Sequence, residues 1–282
     1  MSDLITVAAV QMTSGKVLTD NLRAAEVGLE RAAAGGARLA LLPENFAGYG
    51  VNYRELAARY DDLLAWLGEQ ARRHQLYLVA GSLPARYRPD GSEVPAPRVR
   101  TRSVLLGQDG AVIAGYDKLH LFDVDVQDSQ GRYRESEVFE PGDAVVTAPA
   151  AGLTLGMAIC YDLRFPLLAR ALVARGAELL IYPSAFTATT GAAHWELLMR
   201  ACAVQNGCYV LGANQCGQHS EKRASFGHSM LVDPWGRVVA QAGGEPSVVL
   251  GDVDRATLTQ VRSALPVHQH QRFTVESFYD LR

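Results

Sequence analysis

Three residues with chemically active side chains follow predicted strands: Glu44 follows "LALLP", Lys118 follows "AVIAGYD" and Cys160 follows "GMAI". Open α/β sheets assemble their sites at the carboxyl ends of their strands, so we expect the three side chains to converge. A thiol is mostly protonated near neutral pH, and a nucleophilic cysteine needs a neighbouring base or cation, which Glu44 and Lys118 would supply. Spacing alone leaves the structural alternative open, because unpaired cysteines are usually core residues and lysine and glutamate are usually surface charges.

The remaining cysteines do not form a metal-binding pattern. Cys202, Cys208 and Cys216 lie near His219 in the sequence, but the first is predicted in a helix and the second in a strand. Their spacing does not match the paired ligands of zinc sites. We therefore predict no metal.

Length, composition and charge favour an ordinary globular protein. The chain has 282 residues, 48% of them hydrophobic and 20% charged, and we predict one domain over residues 1–282. A net charge of −3 argues against nucleic-acid binding. No apolar run is long enough to span a membrane, and "LITVAAV" is predicted to be a strand rather than a signal peptide. Four cysteines without a CxxC pair favour free thiols and a cytoplasmic location.

Apolar periodicity divides the first half into strands and helices. After the first strand, Leu22, Ala25, Leu29 and Ala32 lie on one helical face, with Asp20 as the predicted cap. A buried strand before Glu44, a helix over 54–73 and the strand "LYLVAGS" follow, and Asp109-Gly110 predicts a hairpin. Residues 119–143 are rich in acidic side chains and lack periodicity, so we predict a long functional loop there.

The second half repeats this order. It contains a strand to Cys160, a helix from Pro166 to Gly176, the strand "ELLIYPS", a helix across "HWELLMRACAVQN", the strand "CYVLGAN", a hairpin and a last strand, "VVLGDVD". Strands alternating with helices predict an α/β fold, and a hairpin in each half predicts mixed sheets. The repetition suggests two similar sheets packed together.

Three segments resemble the motif blocks of the nitrilase superfamily of carbon-nitrogen hydrolases: "LLPENF" around Glu44, "YDKLHLFDVD" around Lys118 and "GMAICYDLRFP" around Cys160. The segments "YPSAFTATTGAAHWELLMRA" and "NQCGQHSEKRASFGHSMLVDPWGRVVA" are most similar to its Nit1-type branch, the deaminated glutathione amidases, which stand close to the ω-amidases. The resemblance implies a four-layer α-β-β-α sandwich of two mixed sheets with helices on the outer faces. It also implies a homodimer without a metal or organic cofactor.

The resemblance assigns catalytic roles. Cys160 matches the nucleophile, Glu44 the general base and Lys118 the cation that stabilises the oxyanion. Glu135 matches the second glutamate, and its neighbour Glu137 is the alternative. The abrupt change from apolar strand to Cys160 is then a turn that exposes the thiol.

The remaining candidates would bind substrate. The Tyr161 backbone N–H would face the oxyanion. Arg164 would pair with a substrate carboxylate or, alternatively, with Asp162. Six candidates in all are assigned to substrate binding: Tyr161, Arg164, Phe186, Thr187, Lys222 and Arg223. For Phe186 the alternative is a core position, and for Lys222 and Arg223 it is a solvated loop rather than a lure for a polyanionic substrate.

The predicted function is hydrolysis of a small carboxylate-bearing amide, with deaminated glutathione as first choice, through a thioester. The alternatives are ω-amidase activity on α-ketoglutaramate, N-carbamoyl amino acid hydrolysis, nitrile hydrolysis and a catalytically silent binding protein. The apolar helix at 166–175 and the weakly periodic segment 265–282 motivate the predicted homodimer, with 265–282 packing as an extension on the dimer.

Overall fold

The computed structural model describes residues 4–128 and 130–272. The first half contains β1 (Leu4–Gln11), α1 (Leu18–Ala34), β2 (Leu39–Leu41), α2 (Tyr53–Ala57), α3 (Tyr60–His74), β3 (Tyr77–Val79), β4 (Leu83–Ala85), β5 (Val99–Leu106), β6 (Val112–Asp117), β7 (Asp123–Asp125), β8 (Arg132–Arg134) and β9 (Phe139–Glu140). The second half contains β10 (Thr147–Ala150), β11 (Leu153–Met157), α4 (Pro166–Ala174), β12 (Leu179–Ser184), α5 (Ala188–Asn206), β13 (Tyr209–Asn214), β14 (Cys216–Ser220), β15 (Arg223–Phe226), β16 (Met230–Val232), β17 (Val238–Gln241), β18 (Ser247–Asp254) and α6 (Arg255–Ala264).

Two mixed sheets form the centre of the molecule, as the sequence predicts. The first follows the order β18-β1-β2-β3-β5-β4, with β6 and β9 also paired to β5, and its β1, β2 and β3 are parallel. The second follows the order β10-β11-β12-β13-β16-β17, with β11, β12 and β13 parallel. The last strand, β18, pairs antiparallel with β1 along its whole length, so the second half of the chain completes the first sheet.

Alternating residues of the first sheet enter two different cores, because successive side chains of a strand point to opposite faces. The core between the two sheets includes Val7, Ala9, Leu39, Leu41, Leu155, Met157, Leu179 and Ile181. The core between the first sheet and α1 and α3 includes Ala8, Val10, Ala40, Leu42, Ala25, Leu29, Leu63 and Leu67. Helices α4 and α5 pack on the second sheet through Leu168, Leu172, Trp195 and Met199. The result is the predicted four-layer α-β-β-α sandwich.

Three local predictions are wrong at their boundaries. Asp20 does not cap α1, since the helix begins at Leu18 and Asp20 lies in its first turn. The helix predicted over 54–73 is two helices, α2 and α3. Helix α5 begins at Ala188, earlier than predicted, because the Thr187 hydroxyl accepts a hydrogen bond from the Thr190 N–H and caps it.

The long loop predicted over 119–143 also has structure of its own. Strands β7 and β8 form a short hairpin in which Asp123 pairs with Arg134, and a 3-10 turn from Glu135 to Glu137 follows directly. The hairpin is short and largely exposed on one side, so its strands carry little apolar periodicity. Glu135 therefore follows directly on a hydrogen-bonded hairpin and does not lie in an irregular loop.

The structure describes no helix, within residues 4–128 and 130–272, that combines the length and apolar character needed to cross a bilayer. The predicted C-terminal extension 265–282 lies partly outside the described residues, which end at position 272.

Candidate active site

A cavity of about 320 Å³ lies where the two sheets present the ends of several strands. Glu44, Lys118, Cys160 and Glu135 all line it, so residues spread over more than a hundred positions of the chain meet in one place. Lys118 follows β6 directly, as predicted, whereas Glu44 and Cys160 stand three residues beyond the ends of β2 and β11. The convergence predicted from strand ends is therefore present, although short connecting turns deliver two of the side chains.

The turn that carries Cys160 has unusual backbone geometry. Cys160 has a φ of 47°, in the left-handed region that residues with a Cβ rarely adopt. It begins a 3-10 turn from Cys160 to Arg164, and α4 follows with Pro166 at its first position. The Ile159 N–H donates to the Asp162 carboxylate at 2.8 Å, which holds this turn. The predicted turn is thus observed, with Cys160 only 9% exposed.

Lys118 joins two carboxylates on the floor of the cavity. Its Nζ lies 2.8 Å from Glu44 Oε1 and 2.8 and 3.0 Å from the two carboxylate oxygens of Glu135. Glu135 Oε2 also accepts the Phe122 backbone N–H at 2.6 Å. By contrast, the side chain of Glu137 is 70% exposed, and Glu137 does not line the cavity. Of the two glutamates, the structure brings Glu135 to Lys118.

Burial and ion pairing fix the charges on this floor. Desolvation would lower the pKa of Lys118, but Glu135 and Glu44 raise it well above its usual value, so the ammonium stays charged. Burial raises the pKa of Glu135, while the Lys118 charge lowers it in part. One cation thus neutralises only one of two neighbouring carboxylates, and the site retains an acceptor for a proton.

The thiol of Cys160 is protonated at rest. Burial raises its pKa, and the neighbouring Glu44 carboxylate raises it further by charge and by hydrogen bonding. Lys118 and a hydrogen bond from the Ala185 backbone act in the opposite direction but do not outweigh these effects. A nucleophile at this position must therefore lose its proton to a base during the reaction rather than exist as a resting thiolate.

The wall of the cavity contains five of the six predicted substrate-binding residues: Tyr161, Arg164, Phe186, Thr187 and Arg223. The Arg164 guanidinium lies 5.9 Å from the ring centre of Tyr161 and 5.1 Å from that of Phe186, and its Nη1 is 3.2 Å from His194 Nδ1. Asp162 instead binds Ile159, Tyr116 and His120, so the alternative pairing of Arg164 with Asp162 is absent from the described contacts. Phe186 lines the cavity and also packs edge-on against Trp195, which makes it both a wall and a core residue.

Arg223 reaches the cavity between two tyrosines. Its guanidinium lies 4.8 Å from the ring centre of Tyr133 and 5.4 Å from that of Tyr49, and its Nη2 donates to the Ala185 carbonyl at 2.9 Å. Its Nε and Nη1 have no hydrogen-bond partner among the described residues. Lys222, the preceding residue, is exposed at the turn between β14 and β15 and does not line the cavity. The structure therefore separates two residues that sequence reasoning grouped together.

Sequence reasoning also missed lining residues. Lys16, Arg134 and Tyr49 line the cavity although no motif singled them out. Arg134 pairs with Asp125 across the β7–β8 hairpin and could have been noticed from its position directly before Glu135. Among the described residues, only two carboxylates line the cavity, and Lys118 binds both of them. Five cationic side chains line it as well: Lys16, Lys118, Arg134, Arg164 and Arg223.

A metal site is not observed in the part of the chain that the structure describes. There, no three histidine, cysteine, aspartate or glutamate side chains are grouped as ligands. All four cysteines are free and buried.

Two stacked mixed sheets, with a thiol, an ammonium and two carboxylates meeting in one cavity, agree with the class of protein that comparison with known proteins identifies, a hydrolase of the nitrilase superfamily. The chain belongs to the carbon-nitrogen hydrolase family, whose model matches residues 6–263. It is 40% identical over 274 residues to a deaminated glutathione amidase of Yersinia enterocolitica, covering 95% of this chain and 93% of that one. It is 42% identical over 277 residues to the human protein of the same name, covering 96% and 83%.

Solved structures agree with the sequence relatives. The NitFhit protein of C. elegans superposes with a TM-score of 0.87 at 38% identity, covering 96% of this chain and 66% of that longer one. Saccharomyces cerevisiae Nit3, a member of branch 10 of the nitrilase superfamily, superposes with a TM-score of 0.83 at 30% identity, covering 96% and 97%. The fold and the family are therefore those that the sequence motifs predict.

Proposed function

We propose that the protein is a cysteine-dependent amidase whose substrate is a small amide bearing carboxylates, with deaminated glutathione as first choice. One observation carries this proposal: Cys160, Glu44, Lys118 and Glu135 line one cavity whose other charged side chains are cations. The floor offers a nucleophile, a base and an oxyanion stabiliser, and the wall offers groups that attract a polyanion.

The reaction would proceed through a thioester. Glu44 takes the Sγ proton of Cys160 while the sulfur attacks the amide carbonyl, and the resulting oxyanion is stabilised by the Lys118 ammonium and the Tyr161 backbone N–H. Glu44 then passes the proton to the leaving nitrogen, the C–N bond breaks and an amine or ammonia departs. A water molecule next attacks the thioester through its oxygen, and Glu44 accepts a proton from that water. The C–S bond breaks, the acid is released and the thiol regains its proton.

Glu135 would act by holding Lys118. It binds both the Lys118 ammonium and the Phe122 N–H, so it is anchored to a different segment of chain from the one that carries the ammonium. Its charge also keeps Lys118 protonated in a buried place. A cation fixed in this way can stabilise an oxyanion without reorganising during the reaction.

The choice of substrate rests on the wall. Arg164 and Arg223 would bind carboxylates, since guanidinium groups form the strongest hydrogen bonds to such anions. Deaminated glutathione carries two carboxylates, and the relatives with about 40% identity are named after that amide. Phe186, Thr187 and Tyr161 would line the substrate chain between the charged ends.

A panel of amides tests this proposal. Native chain and Cys160→Ala would be incubated with deaminated glutathione, α-ketoglutaramate, an N-carbamoyl amino acid, an aliphatic nitrile and an uncharged alkyl amide, and both product halves would be quantified by mass spectrometry. We expect the dicarboxylate amide to have the highest kcat/KM in the native chain and no turnover in the variant. Preference for α-ketoglutaramate would indicate an ω-amidase, and turnover of no substrate would indicate a silent binding protein. Equal turnover by both proteins would refute the nucleophile.

We further propose a cytoplasmic homodimer. Four free cysteines suit a reducing compartment. Leu167 of α4 and Leu197 and Val204 of α5 are 55%, 66% and 48% exposed, which leaves an apolar face on the outer helices for a second copy to cover. Sedimentation at micromolar concentration tests the dimer, and a monomer under these conditions would contradict it.

A further inference from the structure

Asp162 lies in the turn that carries Cys160, and its carboxylate makes four polar contacts. Its side chain is 0% exposed. One oxygen, Oδ2, accepts the Ile159 N–H at 2.8 Å and the Tyr116 hydroxyl at 2.7 Å. The other, Oδ1, accepts the His120 backbone N–H at 3.1 Å and lies 2.7 Å from His120 Nδ1. Burying a carboxylate costs free energy unless hydrogen bonds replace its contacts with water, and these contacts do so.

The partners of Asp162 flank the two central groups of the site. Ile159 directly precedes Cys160, Tyr116 stands two residues before Lys118, and His120 stands two residues after it. One carboxylate therefore ties the nucleophile turn to the chain on both sides of Lys118. Burial raises the pKa of Tyr116 far above its usual value, and the Asp162 charge adds to this, so the hydroxyl stays protonated and donates.

A second contact supports the same connection. The His120 ring stacks on Phe165 at 3.6 Å between centres with the planes 6° apart, and Phe165 is the residue that joins the nucleophile turn to α4. The turn needs such support because Cys160 adopts a positive φ, which costs a residue with a Cβ free energy that the surroundings must offset. Asp162 itself does not line the cavity, so it has no route to the substrate.

We propose that Asp162 is a positioning residue that sets the separation between the Cys160 sulfur and the Lys118 ammonium. The idea rests on the proposed amidase function, in which the carbonyl carbon must meet the sulfur while its oxygen meets the ammonium. Loss of Asp162 therefore reduces kcat by a larger factor than it raises KM, because Arg164 lies in the same turn whereas Arg223 reaches the wall from a separate hairpin. A merely structural role would instead reduce the amount of folded protein and leave the rate of each folded molecule intact.

The test compares Asp162→Asn with Asp233→Asn. Asp233 is a matched control, since it is also buried and accepts two backbone N–H groups, from Trp235 and Arg237, in a hairpin that does not line the cavity. For Asp162→Asn, we expect kcat per titrated Cys160 thiol to fall about 100-fold, as for a displacement near 1 Å, with a smaller rise in KM. For Asp233→Asn we expect a lower melting temperature and an unchanged kcat.

Alkylation of Cys160 by iodoacetamide, followed by mass spectrometry, gives a readout that does not depend on the hydrolysis of a substrate. The Glu44 charge raises the pKa of the thiol and the Lys118 charge lowers it, so a sulfur that moves away from Lys118 shifts the midpoint of the alkylation profile to higher pH and one that moves away from Glu44 shifts it to lower pH. A shift in either direction supports the positioning role. Tyr116→Phe keeps the Asp162 charge and removes one donor, so a shift in this variant cannot come from lost charge. We expect it to lose about tenfold in kcat.

The outcomes separate the two proposals. If the native chain hydrolyses no amide, the proposed function fails, and the alkylation profiles alone decide whether Asp162 positions the sulfur. If Asp162→Asn keeps its kcat per thiol and its alkylation midpoint, the positioning role is refuted. If Asp162→Asn does not fold, Tyr116→Phe decides, and native values of kcat and midpoint in that variant overturn the inference.

Discussion

The floor and the wall of the cavity are held together differently. On the floor, the Lys118 side chain is 2% exposed and its ammonium is bound by two carboxylates. On the wall, Arg223 rests between aromatic rings and makes one hydrogen bond to a carbonyl, with two nitrogens left unpaired among the described residues. A floor whose groups are already paired is fixed before substrate arrives, while a wall with spare donors gains its partners from the substrate. We infer that the floor sets the reaction and the wall sets the choice of amide.

Removal of the nucleophile tests the floor most severely. Cys160→Ala is expected to reduce kcat by at least about 10⁴-fold, because Cys160 is the only thiol among the described residues that line the cavity. Amide hydrolysis measured per mole of folded protein, with folding checked by circular dichroism, tests this. Cys202→Ala is the matched control, since Cys202 is buried against Tyr182 outside the cavity and its loss should cost about 1 kcal/mol of stability without affecting turnover. Turnover by Cys160→Ala near the native rate would mean that the floor is not the reacting centre.

Replacement of Glu44, the proposed base, should change both the rate of hydrolysis and the pKa of the Cys160 thiol. A change in the wall is not expected to alter that pKa in the same way. Glu44→Gln is expected to reduce kcat about 10³-fold, since the thiol proton has no acceptor. Because the Glu44 charge raises the pKa of Cys160, its removal lowers that pKa, and the thiolate fraction at a given pH rises. Iodoacetamide alkylation across pH measures this, and its midpoint should move to lower pH. A midpoint that moves to higher pH would contradict the arrangement of charges on the floor.

The two regions also differ in how far sequence predicts them. Glu44, Lys118 and Cys160 follow strands whose apolar runs are easy to recognise. Strands β2 and β6 belong to the first sheet and β11 to the second, so the stacking of the two sheets, which has no local sequence signal, brings Cys160 to the other two residues. The pairing of β18 with β1 over eight residues could not be predicted from the sequence, because the apolar pattern of a strand does not indicate which sheet the strand joins.

The wall depends on loop and hairpin geometry, which local periodicity does not encode. Lys222 and Arg223 are adjacent and both positively charged, yet one lies at an exposed turn and the other reaches the cavity. Tyr49 and Arg134 belong to short segments whose direction is set by contacts made elsewhere, such as the β7–β8 pairing. Alternation along a hairpin decides which side chain points inward, and that requires its register.

Removal of one wall cation tests the assignment of specificity. Arg223→Met is expected to reduce kcat/KM about 10- to 100-fold for a dicarboxylate amide, the effect of a lost charge-assisted hydrogen bond, and far less for an uncharged amide. Steady-state kinetics on both substrates measures the difference. Arg223→Lys keeps the charge without the forked donors and should give an intermediate loss. An equal loss on both amides would instead indicate that Arg223 acts by holding the Ala185 carbonyl. Arg223 would then contribute to the reaction of every amide and not to the choice among them.

Lys222→Ala should have the smallest effect of these changes and completes the comparison. Lys222 carries the same charge as Arg223 but is exposed and does not line the cavity, so it acts on the substrate only through screened, long-range attraction. Exposed charges are largely screened beyond a Debye length, which is about 8 Å at 0.15 M salt. We therefore expect less than about a twofold change in kcat/KM for the dicarboxylate amide. At low ionic strength the loss should grow modestly, because steering of an anion is then less screened. A salt-independent loss as large as that of Arg223→Met would mean that the β14–β15 turn closes over bound substrate and that the wall extends further than the cavity surface indicates.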